Sequence, residues 1–262
     1  MTNSLERALA LLELLEQTPG GLRHGEISRE LKIPPSTCTY IAARLEQKGY
    51  LRRDEDTLRY QIGLKTVALA HGALRELGIR TMAEPVLYRL VSDTGMSAGI
   101  GVLQQGCVLL VDRVEGPEFM KDAARRQATR GRSRAQRDIG RELGLHTTAL
   151  GKVLAAYLPE RQRTELLRDL VLTRRTPKTI VSKAKLVTEL AAVRRQGYAT
   201  AEEEEYPGVR SIGAPIYDST RVVRAAVALN GSLTDSAWSD PQALVELVQE
   251  AAAEISKRAR LA

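Results

Sequence analysis

The first 63 residues constrain this chain most, because three short amphipathic stretches separated by tight turns run directly into two short extended segments. Leu5, Leu9, Leu12 and Leu15 recur every three to four residues, which predicts a helix capped by Ser4 and stopped before Pro19-Gly20-Gly21. A second helix is expected from about Gly25 to Leu31, broken by Lys32-Ile33-Pro34. Pro35 suits the first turn of a third helix, where its missing N–H costs nothing, and Gly49 ends that helix after Lys48. The segments 50–53 and 58–62 then flank the turn formers Asp54-Glu55-Asp56-Thr57, the pattern of a β-hairpin. Helix-turn-helix followed by a hairpin is a winged helix.

In the third helix Cys38, Ile41 and Leu45 are spaced to face the core, which turns Ser36, Thr37, Tyr40 and Arg44 outward and leaves Thr39 at the margin. Two hydroxyls at the N-terminal end, where free N–H groups and the positive end of the dipole meet phosphate, suit insertion into a DNA major groove. Arg52, Arg53 and Arg59 on the hairpin are placed to meet phosphates and fix register. Double-stranded DNA is the expected partner. The bulk charge points less clearly: the chain carries +7, yet eight basic residues against two acidic ones between Lys121 and Arg141 supply most of it. That run reads as a solvated surface segment, an auxiliary DNA contact or a lid over a pocket, and charge alone does not separate these.

At 262 residues there is room for two domains. One Phe, one Trp and eight Tyr leave the core to aliphatic residues. After the wing, a helical stretch over 64–77 interrupted by Gly78 reads as a linker, followed by a helix from Arg80 to about Ser92. Strands are expected over 96–103, 107–114, 209–216 and 222–229, and helices over 146–157, from Pro159, from a Ser182 cap to Gln196, and over 241–258. Strands and helices intermixed through hairpin connections predict an α+β domain with an antiparallel sheet. The expected division is 1–63 winged helix, 64–78 linker helix and 79–262 second domain. No apolar run approaches the ~18–20 residues that cross a bilayer, so no membrane is expected. Two cysteines and three histidines in no clustered spacing support neither a disulfide framework nor a metal or cofactor site, and a cytoplasmic location fits.

Several separated motifs in this order resemble the isocitrate lyase regulator (IclR) family of bacterial transcription factors. They are Ile33-Pro34-Pro35-Ser36-Thr37 with Leu45 and Gly49-Tyr50-Leu51, then Val111-Asp112-Arg113-Val114, then His146-Thr147-Thr148-Ala149-Leu150-Gly151-Lys152. The last is Gly197, Ala201 and Glu204 followed by Ser211-Ile212-Gly213-Ala214-Pro215-Ile216-Tyr217-Asp218. The resemblance implies a GAF-like effector domain, palindromic operator DNA, a homodimer or a dimer of dimers (a homotetramer), and a small organic acid as effector. Carried over by position, the effector pocket would use Thr148, Ala149 and Leu150 on one helix, Ala201 and Glu202 at a loop, Ser211 on a strand, and Ala228 and Asn230 on the last strand. This chain departs from the family where Pro35 replaces a basic residue, where Tyr40 replaces an Arg and where Ala201 replaces Asp or Ser. Its segment between Gly116 and His146 is also longer.

Other chemistries fit less well. Gly95-Met96-Ser97-Ala98-Gly99 matches the nucleophile elbow of a serine hydrolase, with Asp112 and His146 following in triad order, but an elbow needs a strand before the serine and a helix after it. Here the order is reversed, so no enzyme is expected and Ser97 is read as structural. Glu202–Glu205 is read as a solvated acidic loop rather than a metal site, since no histidine accompanies it. Asn230-Gly231-Ser232 is a glycosylation sequon by pattern only. A DNA-binding protein without a ligand is the remaining alternative.

Overall fold

The computed structural model describes residues 3–117 and 139–261. Of the basic run only Arg141 falls among them, and Lys121, Arg125, Arg126, Arg130, Arg132, Arg134 and Arg137 lie outside the described residues. Contacts divide the chain into two units, Met1–Leu77 and Gly78–Ala262.

The first unit contains α1 (Ser4–Glu16), β1 (Leu22–Arg23), α2 (His24–Glu30), α3 (Pro35–Gln47), β2 (Leu51–Arg53), β3 (Arg59–Ile62) and α4 (Lys65–Leu77). Leu11, Leu15, Ile27, Cys38, Ile41 and Leu51 form its core. The cap of α1 is Asn3, not Ser4. Asn3 Oδ1 accepts the Glu6 N–H at 2.9 Å while the Asn3 N–H donates to the Glu6 carboxylate at 3.0 Å. Ser4 has Arg7 three residues on and cannot close that reciprocal box. Helix α3 ends as expected, with Gly49 at φ +78°. Its N–H bonds the Glu46 carbonyl and that of Tyr50 bonds Leu45, satisfying two of the helix's last carbonyls. The wing holds a third strand, because β1 pairs with β3 in the order β1-β3-β2. Two residues are too few for alternation to reveal.

The second unit is built around a six-stranded, wholly antiparallel sheet of order β6-β5-β4-β9-β8-β7. Its elements are α5 (Ile79–Thr94), β4 (Ser97–Gln104), β5 (Cys107–Val114), β6 (Glu142–Leu143), α6 (Ala149–Tyr157), α7 (Glu160–Asp169) and α8 (Lys183–Gln196). They continue with β7 (Ala199–Glu202), β8 (Val209–Tyr217), β9 (Val223–Ser232) and α9 (Pro241–Leu261). The architecture is α+β. Ser182 caps α8 as expected and Gly197 at φ +82° ends it. The helix expected from His146 begins only at Ala149, because Thr148 is its cap and accepts the Gly151 N–H at 3.1 Å. Ala201 and Glu202 lie on strand β7, not in a loop. Their run Ala-Thr-Ala-Glu has no large apolar residue to mark a strand, and its pairing to β8 decides the structure.

Helix α6 packs on one face of the sheet with α8, and its Leu150, Val153 and Leu154 join Val108, Leu110, Ala226 and Ala228 in one buried cluster. It sits close because small residues lie beneath it. A Cβ on Gly213 would stand 3.2 Å from the Ala149 backbone, and one on Gly101 would stand 3.3 Å from the Leu150 side chain.

At the open side of β8 the chain blocks further pairing. The Val209 carbonyl faces β7, accepting from the Glu203 N–H, so by alternation the backbone groups of residue 215 face that way too. Strand β7 stops opposite Gly213, which leaves Pro215, with no N–H, at the bare edge. The Tyr217 N–H is taken by Ser256 Oγ of α9 at 2.9 Å.

Gly151 provides a test of this packing. An exposed helical Gly→Ala change gains up to about 1 kcal/mol from propensity. Here the new Cβ would meet the Leu145 carbonyl oxygen at 2.3 Å and its Cα at 2.6 Å. Overpacking against backbone costs about 1–3 kcal/mol, so Gly151→Ala is expected to lower stability in urea unfolding. A raised unfolding midpoint would contradict this close seat of α6.

Candidate functional site

Two groups of residues come forward, one in each unit. On α3, Cys38, Ile41 and Ala42 are buried and Leu45 is half-buried, while Ser36, Tyr40 and Arg44 are exposed on the opposite ridge. The Arg44 guanidinium stands 5.5 Å from the Tyr40 ring centroid and donates to Gln47 Oε1 at 3.3 Å. Gln47 therefore extends this ridge by one more turn. Sequence reading passed over it, although its spacing of three from Arg44 was the available signal. Thr37 is half-buried. The Thr39 hydroxyl is engaged locally, 3.0 Å from the Pro35 carbonyl and 2.7 Å from His24 Nε2, where it pins α2 to α3.

On the wing Arg52 and Arg53 are exposed, with Arg53 stacked 5.6 Å from the Tyr60 ring centroid. Arg59 differs from them. It is half-buried, and its guanidinium donates to the Gly21 carbonyl at 2.7 Å and to Glu26 at 3.3 Å. It holds the strand β1 region against α2 instead of projecting from the hairpin. The Glu26 carboxyl, held chiefly by the Arg23 N–H and further by Arg59, lies below the usual carboxylate range.

In the second unit the sheet register draws four sequence positions into one row. Ala201 pairs with Ser211, Ser211 with Asn230, and Asn230 with Ser97. Partners across a sheet share a face, and the next row, Ala199, Gly213, Ala228 and Gly99, lies on the face that carries α6. Ala149 of α6 rests over Gly213, while Tyr157 at its other end meets Tyr217 edge-to-face at 5.9 Å. Helix α6 thus runs along β8 in the strand's own direction, and the row of Ser211 and Asn230 lies ahead of its N-terminus.

What the row offers is hydrogen-bonding capacity without internal partners. Among the described residues the N–H groups of Ala149 and Leu150 have no acceptor, since the Thr148 hydroxyl serves Gly151 and the Thr148 carbonyl serves Lys152. Ser211, only 6% exposed, and half-buried Asn230 likewise make no side-chain hydrogen bond among the described residues. Two helix-terminal donors at the start of α6, and a hydroxyl and an amide in the neighbouring row of the sheet, are therefore left without internal partners among the described residues, and such donors suit a small anion. A cavity of about 380 Å³ lies instead at the far end of α6, lined by Tyr157, Tyr217, Pro215, Gln249, Ser256 and Lys257. None of the expected effector residues lines it.

The solvated acidic loop is corrected. Glu202 and Glu203 both pair with Lys178, Glu203 also accepts the Gly208 N–H, Glu204 meets buried Lys152, and Glu205 accepts the Thr147 hydroxyl. Partners far away in sequence hold the run in place. The hydrolase pattern is not assembled either. Ser97 is buried and its Oγ accepts the Gly116 N–H at 3.0 Å, buried Asp112 lies 3.4 Å from Arg80, and His146 Nε2 donates to the Thr173 carbonyl at 3.2 Å. Burial lowers the His146 pKa, disfavouring the charged ring.

A winged helix-turn-helix joined in one chain to an α+β unit is the architecture of a regulator that reads DNA. The model of the "Bacterial transcriptional regulator IclR C-terminal" family matches residues 71–257, and that of the "IclR helix-turn-helix domain" matches residues 4–55. The chain is 32% identical over 227 residues to the HTH-type transcriptional regulator XynR of Escherichia coli, covering 87% of this chain and 85% of that protein. It is 31% identical over 255 residues to the regulator BhcR of Paracoccus denitrificans, covering 97% and 86%. The crystal structure of Thermotoga maritima IclR shares 28% identity and a TM-score of 0.74 over 98% of both chains. An IclR homologue from Microbacterium hydrocarbonoxydans, complexed with 4-hydroxybenzoate, shares the fold at 24% identity and a TM-score of 0.82, over 99% of this chain and 100% of that one. The chain belongs to the IclR family of bacterial transcriptional regulators.

Ser97→Ala separates the structural from the catalytic role. Loss of its acceptor leaves the buried Gly116 N–H unpaired, so the variant is expected to lose about 1–3 kcal/mol of stability. Covalent labelling of Ser97 in the wild-type protein by a serine-directed fluorophosphonate, read by mass spectrometry, would restore the hydrolase reading.

Proposed function

We propose that this protein binds palindromic operator DNA as a homodimer or a dimer of dimers and that a small organic acid modulates the binding. The N-terminal unit reads the site through Ser36, Thr37, Tyr40 and Arg44, with Arg52 and Arg53 on phosphate. Arg59 supports the wing from within. Exposed Leu5, Leu9, Leu64, Val67 and Leu69 on and beside α1 and α4 supply apolar surface for the second copy. Residues 64–78 serve as the linker helix between DNA-binding residues 1–63 and effector-binding residues 79–262. Among the described residues no helix is long and apolar enough to cross a membrane. Work on DNA places the protein in the bacterial cytoplasm.

One observation carries the effector reading: among the described residues the N–H groups of Ala149 and Leu150 and, one row of the sheet away, the side chains of Ser211 and Asn230 have no hydrogen-bond partner. A carboxylate takes the helix donors, and the Ser211 hydroxyl and Asn230 amide meet the rest of the ligand ahead of the α6 N-terminus. The homologue's 4-hydroxybenzoate supports an aromatic acid. Thr148 positions the helix start, and Ala201 and Glu202 bound the row on its β7 side. Because this site and the recognition helix belong to different units, the effector acts by favouring one arrangement of the two winged helices. A coupling of about 1–3 kcal/mol changes operator affinity roughly 5- to 150-fold, and operator DNA changes effector affinity by the same factor.

On an operator selected in vitro, Tyr40→Ala or Arg44→Ala is expected to cost about 1–3 kcal/mol and to relax base preference. Arg53→Ala should weaken all sequences alike and lower the salt slope by about one. Equal losses on selected and random DNA for Tyr40→Ala and Arg44→Ala would remove α3 from base reading.

Ser211→Leu fills the row beneath the α6 N-terminus. It is expected to abolish the change in operator affinity caused by 4-hydroxybenzoate or benzoate while leaving basal operator binding near wild type. A folded variant that loses both together, or a wild-type protein whose ligand affinity ignores saturating operator, would defeat the two-site reading.

A further inference from the structure

Lys152 is 1% exposed, and nothing in the effector reading employs it. Its ammonium meets Glu204 Oε1 at 2.7 Å, the Thr200 carbonyl at 2.9 Å and Glu189 Oε1 at 3.1 Å. Three donors thus find three acceptors. Those acceptors belong to the β7–β8 loop, to β7 and to α8, so one charge on α6 joins three other elements.

The loop is the consequential partner. Glu204 is largely buried, and its second carboxylate oxygen has no partner among the described residues. The next residue, Glu205, accepts the Thr147 hydroxyl just ahead of the α6 cap. Two successive glutamates therefore fasten the loop to the first turn of α6 from both sides, at Thr147 and Lys152. That turn carries the N–H groups of Ala149 and Leu150, which have no acceptor among the described residues. The loop in turn connects β7 to β8 and so leads directly into the row of Ala201 and Ser211. Both halves of the site, helix donors and strand side chains, meet through Lys152.

Stability alone gives a weak reason for such a group. Replacing a buried ion pair by neutral side chains of similar size is often close to neutral, whereas removing one partner strands the other charge. We propose that Lys152 is a positioning residue for the effector site, holding the α6 N-terminus and the β7–β8 loop as one body around the bound acid. The proposal rests on the effector reading above.

The test uses the full-length protein with Lys152→Met/Glu204→Gln, which removes the ammonium together with the buried Glu204 charge and leaves only the half-exposed Glu189 carboxylate, and Glu204→Gln alone, which keeps an oxygen acceptor for Lys152. Calorimetry with 4-hydroxybenzoate and benzoate measures affinity. Amide hydrogen exchange of residues 145–151 and 203–208 measures whether the two segments move together. Glu204→Gln is expected to bind within about threefold of wild type. The double variant is expected to remain folded, to bind at least tenfold more weakly and to exchange faster in both segments. Equal affinity of the double variant and wild type would overturn the proposal, as would equal losses in the two variants. If wild type binds neither acid, the effector chemistry fails and exchange decides the positioning role by itself. Faster exchange of both segments in the double variant but not in Glu204→Gln then upholds it, and any other pattern overturns it.

Discussion

Helix α6 approaches the sheet closely because Gly101, Gly213 and Ala228 put almost no side chain between them, and Leu145 closes on Gly151 from behind. A helix held at that distance has no freedom to tilt without colliding with backbone. Its first turn is therefore fixed relative to β8 and β9, one row of the sheet from Ser211 and Asn230. The absence of bulk in the floor and the presence of donors at its edge are one structural fact.

The winged unit solves a different problem. Its recognition helix has a thin apolar stripe, and the small core of Leu11, Ile27, Cys38 and Ile41 leaves little margin for error in the wing. The guanidinium of Arg59 ties the turn at Gly21 to Glu26, and the Thr39 hydroxyl and His24 join α2 to α3. Polar groups that look like DNA contacts in a linear sequence thereby divide into those that hold the reading head together and those left free to touch DNA.

That division marks the limit of what the sequence made legible. The spacing of Cys38, Ile41 and Leu45, the Ser182 cap and the Gly49 stop are local signals, and each produced the element expected of it. The Asn3 box shows a local signal overlooked, since Glu6 three residues on distinguishes Asn3 from Ser4. What remained hidden was non-local. Strand β7 exists through its pairing with β8, and the acidic run is held by Lys152 and Lys178, the former reaching Glu204 across 52 positions. Nothing in the local pattern of four glutamates distinguishes a solvated loop from one pinned at every carboxylate. The row of Ala201, Ser211, Asn230 and Ser97 is hidden for the same reason, being a property of register.

The closed side of β8 bears on how copies of this chain can meet. A sheet whose last strand exposes a run of free N–H and carbonyl groups invites another chain to extend it, and such growth has no natural end. Here Pro215 withholds a donor and Ser256 occupies the next one, so that margin offers no template for a continuous intermolecular sheet. Association at this place has to proceed by side chains and not by continued strand pairing.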